Sequence, residues 1–278
     1  MAIKTTEGKG PRFYFDTDAP SIKYPGVTSV VGMLPKPFLQ FWSAKMAAEL
    51  AVDSLDFIEG VHKRGGRDAA VQYVSGAARR YTKERSDIGS KAHDMFERMI
   101  RGQHVGFVSP DMRPYQRNFA AFLDAVQPEL VRAEDVAWSD THRYAGSFDG
   151  ILRLRLDEYG KPDPQGDPAL VIADWKTGKN TYPDVALQMA AYAHADKVIA
   201  PDGSEAPMPK FDGAVVLHIT DEQAAFKPVK ISAPVFDHFL HLRSTFDWDR
   251  TESKNVVGDP IWSTDAEFVT GTERRAAR

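Results

Sequence analysis

No cysteine occurs in the 278 residues. That excludes disulfides, thiolate zinc sites and an iron–sulfur cluster. No apolar run approaches the roughly 20 residues of a membrane-spanning helix, and no membrane partner is expected. The opening Met1-Ala2-Ile3-Lys4-Thr5-Thr6-Glu7 has no apolar signal-peptide core, which points to a cytoplasmic setting. Net positive charge is also missing. The 35 Lys and Arg against 39 Asp and Glu leave −4, so total charge does not advertise a nucleic-acid binder. It does not forbid one, because an acidic centre needs base only along a substrate path. No His-x-x-x-His pair occurs, which counts against a metal hydrolase of small molecules. Repeats and low-complexity segments are absent as well.

What is present is ordinary for a globular chain: 42% hydrophobic and 27% charged residues. The length suffices for a full core, as one elaborated domain or two small ones. Residues 1–25 are polar and read as loosely ordered or as a short hairpin. Pro37 can open a helix, and Phe38, Phe41, Trp42, Lys45, Met46 and Leu50 continue it at helical spacing. Further helices are expected over 68–85 and 86–100, with Ser86 or Asp87 as N-cap and Gly102 as stop. Another is expected over 114–126, ended by Pro128.

The periodicity then changes to two. Strands are expected over 134–139, 144–156 and 169–176, a helix over 183–200 and a strand over 213–220. An edge strand over 226–231 and a closing helix over 234–246 follow. This is an α/β chain with a mixed sheet and a helical N-terminal portion. The expected portions are 1–85 (helical), 86–250 (core) and 251–278 (tail).

Two strings carry the chemistry: Gly146-Ser147-Phe148-Asp149-Gly150 and Ile172-Ala173-Asp174-Trp175-Lys176-Thr177-Gly178. Residues i and i+2 of a strand share a face, so Asp174 and Lys176 project side by side. They end the apolar run Ala169-Leu170-Val171-Ile172-Ala173, and burying unpaired charge there is costly. A divalent metal supplies a reason for them: carboxylates are its natural ligands and a nearby lysine can hold an anion. The turn-rich stretch from Asp157 to Pro168 lets Asp149 return beside Asp174. His93 and Glu97 are four apart on an expected helix and share its face, as do Gln188 and Tyr192. The bland alternatives are a turn residue for Asp149, a surface ion pair for Asp174 and Lys176, a structural histidine for His93, an exposed salt-bridge partner for Glu97, and core packing for Tyr192.

These strings resemble the PD-(D/E)xK nuclease superfamily, and in particular its RecB-like exonuclease branch. The resemblance rests on Asp149, Asp174-Trp175-Lys176-Thr177-Gly178-Lys179, His93 in its Gly-Ser-Lys-Ala-His setting, and Gln188-Met189-Ala190-Ala191-Tyr192. Four strings in the expected order make a specific signal. They span His93 to Tyr192. The segment from Pro25 to Pro37 is similar to the N-terminal part of phage-encoded members.

The resemblance implies a restriction-endonuclease-like core of helix, three strands, helix and strand. It implies a Mg²⁺- or Mn²⁺-dependent DNA exonuclease serving recombination, repair or replication, in a host cytoplasm if phage-encoded. Asp149, Asp174 and Lys176 are the implied catalytic set. His93, Asp149, Asp174 and the carbonyl of Trp175 are the implied metal ligands, with Glu97 beside them or on a second metal. DNA, as ends or single strands, is the implied partner, and a phage recombination or replication protein a further one. Gln188, Tyr192, Lys179 and the cluster Arg79, Arg80, Lys83 and Arg85 are the implied substrate contacts; for the cluster the alternative is a solvated helix face. Arg274, Arg275 and Arg278 read as a disordered end. The rival reading is a nuclease-fold protein that binds DNA ends or a partner without cutting.

Overall fold

Short strands lead the chain. In the computed structural model, which describes residues 2–6, 8 and 10–259, β1 (Ile3–Thr5), β2 (Phe13–Asp16) and β3 (Tyr24–Pro25) form a small antiparallel sheet. Of the two readings of this segment, the ordered one describes it: Tyr14 is buried against Trp138 and Ala145. Arg274, Arg275 and Arg278 lie outside the described residues.

Helices follow: α1 (Val27–Val31), α2 (Phe38–Asp53), α3 (Leu55–Ser75), α4 (Ala77–Ile100) and α5 (Arg113–Val126). Two expectations change here. The expected N-cap at Ser86 or Asp87 is mid-helix, because α4 runs unbroken for 24 residues from Ala77. Lys83 and Asp87 pair at 2.7 Å across that point, an i,i+4 contact that favours the continuous helix. The second helix ends instead at Gly76, and a further stretch back to Leu55 is helical, with a kink at Gly66. The apolar stripe of α2 forms as spaced, yet none of its residues is buried: Phe38 is 49% exposed and Phe41 77%.

The strands are β4 (Glu129–Ala133), β5 (Val136–Ser139), β6 (Tyr144–Ser147), β7 (Gly150–Leu156) and β8 (Asp167–Lys176). After α6 (Asp184–Ala193) come β9 (Lys197–Ile199), β10 (Glu205–Pro207), β11 (Gly213–Ile219) and β12 (Ala224–Val229), and α7 (Ala233–Arg250) closes the fold. The helix expected over 183–200 stops early because Val198 and Ile199 suit a strand, and β9 pairs with β5.

The main sheet has the order β12-β11-β8-β7-β4. Only β8 and β11 run parallel, joined through α6; the other pairs are antiparallel. The fold is thus a mixed α/β arrangement with seven α-helices among the described residues. Alternate residues of β8 separate two cores. Ile172 packs with α1, α6 and α7, whereas Val171, Ala173 and Trp175 pack with α4 and α5. No helix among the described residues is long and apolar enough to cross a membrane.

The strand expected over 144–156 is two strands in two sheets. β4 pairs with β7, and β5 with β6, so one long hairpin bends at its middle and passes from sheet to sheet. The corner consists of Glu134-Asp135 on one arm and Phe148-Asp149 on the other. Phe148 N–H donates to the Asp135 carbonyl at 3.1 Å, and Glu134 adopts φ 58°. A left-handed non-glycine residue re-aims its side chain.

Gly146 of β6 lets the layers close. A Cβ there would lie 2.7 Å from Cε1 of Tyr192 and 3.0 Å from Cβ of Val27. Gly146→Ala is expected to destabilise the protein by about 1–3 kcal/mol through overpacking. Thermal unfolding checks this, and an unchanged midpoint would remove the close-packing account.

Candidate metal centre

The bend in the hairpin places two carboxylates at one point. Asp149 leads into β7 and Glu134 follows β4, their arms linked by Glu134 N–H to the Asp149 carbonyl at 3.4 Å. His93 reaches the same point from α4. One ligand atom each from His93, Glu134 and Asp149 lies within 4.8 Å of the others. His93 Nδ1 is 3.2 Å from Asp149 Oδ1, and Trp175 N–H donates to Asp149 Oδ2 at 2.5 Å. The N–H and C=O of a strand residue leave by the same edge, so the Trp175 carbonyl shares the edge that faces Asp149.

Asp174 and Lys176 form the second half of the site, on the α6 side of β8. Asp174 is only 2% exposed, so a surface ion pair does not describe it. Lys176 Nζ lies 2.5 Å from its Oδ2. Gln188 of α6 donates to Asp174 Oδ1 at 3.0 Å and to the Tyr192 hydroxyl at 3.1 Å. Lys176 in turn donates to Gln188 Oε1 at 3.4 Å. The ammonium and the amide draw the Asp174 carboxylate toward α6, and the three-residue ligand cluster therefore contains Glu134 rather than Asp174.

Charge follows burial. Desolvation pushes Glu134 up to about 7, helped by the negative charges of Asp149 and Glu97. Burial likewise raises Asp174, to about 6, against the pull of Lys176. Burial also opposes the charge on Asp149, but the His93 hydrogen bond and charge outweigh it and its pKa is lowered. Burial opposes the charges of His93 and Lys176 too. Asp149 outweighs it for His93, and Asp174 with Asp149 for Lys176, so both are raised.

These residues fit a divalent cation. The donors are one imidazole and carboxylate oxygens without sulfur, which suits Mg²⁺ or Mn²⁺. Asp174 Oδ2 is a buried oxygen with no aligned hydrogen-bond donor; the nearby ammonium offsets its charge without meeting its lone pair.

The other expected residues divide. Glu97 pairs with Arg101 at 2.9 Å and also lines the groove that holds the centre. Tyr192, expected at the substrate, is buried among Phe148, Gly146 and Val27, and its hydroxyl accepts a hydrogen bond from Gln188. Arg85 donates to the Thr177 carbonyl at 3.2 Å and lines the groove, which has a volume of 1210 Å³. Arg80 and Lys83 lie on an adjacent face of α4. Arg80 stacks over Tyr73 and Lys83 pairs with Asp87. Arg79 and Lys179 are exposed.

Glu134 escaped the sequence reading. It stood at the start of an expected strand, where a glutamate reads as a solvated strand end. The available signal was the acidic pair Glu134-Asp135 interrupting an apolar alternation. No protein-family model matches this chain, and no curated protein matches it.

Proposed function

We propose that this protein is a Mg²⁺- or Mn²⁺-dependent deoxyribonuclease of the PD-(D/E)xK type, acting as an exonuclease in DNA recombination, repair or replication. The observation that carries the reading is the pairing of buried Asp174 with half-buried Lys176 at one strand end, beside the His93, Glu134 and Asp149 cluster. Support also comes from the order α4, β4/β7/β8, α6, β11, which is that of a restriction-endonuclease-like core.

Hydrolysis forms a bond from water oxygen to phosphorus and breaks the bond to the leaving oxygen. His93, Glu134 and Asp149 would hold the cation, with Asp174 adjoining. A bound divalent cation supplies acidified water and charge neutralisation. Lys176 carries a positive charge against a phosphate oxygen or orients the water. Gln188 holds both Asp174 and Lys176, which fixes their geometry before substrate arrives. A protein that only bound DNA ends would have no use for a lysine set beside these carboxylates.

End-labelled DNA incubated with the protein tests the reading. Cleavage is expected with Mg²⁺ or Mn²⁺ and none in chelator. Intact single- and double-stranded DNA in both ions would overturn it. For His93→Ala, manganese affinity by titration calorimetry is expected to fall at least about tenfold, with DNA affinity in Ca²⁺ little changed. Unchanged manganese affinity would remove His93 from the centre.

A further inference from the structure

The helical N-terminal portion carries aromatic side chains that the core does not use. Phe38 and Trp42 are four apart on α2 and share a face. The Phe38 ring stacks on Tyr182, centroids 6.2 Å apart at 20°. Trp42 meets Tyr81 of α4 edge-on at 5.8 Å. Phe38, Tyr182 and Tyr81 are nevertheless 49%, 51% and 42% exposed. A ring left half in water at such a contact presents a free face.

This row is continuous with the metal groove. Tyr81, Arg85, Gly89 and His93 recur every four residues along α4, so they form one stripe. A Cβ on Gly89 would stand 3.4 Å from Thr177 Oγ1, so α4 runs close to the end of β8. From His93 to Tyr81 is about 18 Å along the helix, roughly five nucleotides at duplex rise and fewer in an extended strand. Tyr182 lies in the loop that begins at Thr177. That loop is held from three elements: Arg85 at the Thr177 carbonyl, His218 at the Gly178 carbonyl (2.7 Å) and Lys227 at the Thr181 hydroxyl (3.3 Å). The loop that carries Tyr182, on which Phe38 stacks, is therefore pinned, and it also carries the exposed Lys179.

Cations among half-exposed rings match a polymer that offers phosphates and bare π-faces together. A duplex hides its base faces in its own stack, and its phosphates alone have no use for the rings. An aliphatic protein partner would have no use for the cations.

We propose that Tyr81, Trp42, Phe38 and Tyr182, with Arg85 and Lys179, form a stacking site for single-stranded nucleic acid that leads a strand end into the metal groove. The proposal rests on the nuclease reading for its purpose, but not for its test.

The test is fluorescence anisotropy in chelator, where cleavage plays no part. The probes are a short labelled oligothymidylate, the same length with abasic sites, and a blunt duplex. The variants are Phe38→Leu and Tyr81→Leu, which keep apolar bulk on exposed positions and lose the π-face. Each variant is expected to weaken oligothymidylate binding by about 5- to 150-fold, the range for one stacked base. The abasic probe should bind the wild-type protein weakly and the variants equally weakly. Unchanged oligothymidylate affinity in both variants would overturn the proposal. So would an equal loss for the duplex, or a loss of self-association in place of a loss of binding. Parallel incubation in Mn²⁺ separates the two readings: weakened binding by the variants without cleavage by the wild type would sustain the stacking site and overturn the nuclease.

Discussion

Lys176→Ala is expected to lower the rate of DNA cleavage by at least about a thousandfold, with the fold retained. Among the described residues the ammonium is the one cation in direct contact with Asp174, and its pKa is held up by Asp174 and Asp149 against burial. It is thus charged throughout the neutral range. Removing it leaves Asp174 buried without a counter-charge, so Asp174 would take up a proton more readily. Two losses follow: the positive charge at the phosphate and the ionised state of a neighbouring carboxylate. Asp174→Asn should lose as much activity while keeping the Gln188 contacts, since an amide can still accept from Gln188. Single-turnover cleavage with saturating Mn²⁺ measures the chemical step. A Lys176→Ala protein that cuts DNA within tenfold of wild type would remove the lysine from the mechanism, whatever becomes of the metal centre.

Glu134→Gln is expected to lower manganese affinity by at least about tenfold at about pH 8, and to make that affinity less dependent on pH. In the wild-type protein both Glu134, raised to about 7, and His93, also raised, must shed a proton before they bind a cation. Affinity should therefore climb from about pH 6 to pH 8.

The same shift has a consequence for the metal-free protein. The folded pKa of Glu134 lies above its ordinary value of 4.5, so the folded state holds that proton more tightly than the unfolded chain does. The resulting stability is complete below the ordinary value and is lost as pH rises through about 7. The full shift discounted for solvent around a half-buried side chain amounts to about 1–2 kcal/mol. Glu134→Gln carries no such charge. Its metal-free melting temperature should exceed that of the wild type by a few degrees at about pH 8 and match it at about pH 4. Calorimetric titration with Mn²⁺ and thermal scans in chelator give both numbers. Equal manganese affinity in the variant would leave Asp149, Asp174 and His93 as the ligands.

The sequence by itself determined the elements whose pattern is local. Period-two runs marked β5, β8 and β11 within a residue or two, and helical spacing with proline at the start marked α2, α5 and α7. It also placed Asp174 beside Lys176, because i and i+2 of a strand must share a face. Three things were decided only by tertiary structure. Gly76 rather than Ser86 divides the long helices, since neither local signal outweighs the packing of Ala77 and Ala78 against the rest of the fold. Lys197–Ile199 became a strand because an edge of β5 stood open to it. Glu134 became part of the site because a hairpin bends between two sheets. The bend depends on which strands find partners, β4 with β7 and β5 with β6. No string of neighbouring residues encodes that pairing, because the partners lie 5 to 24 residues apart and meet only once the sheets assemble.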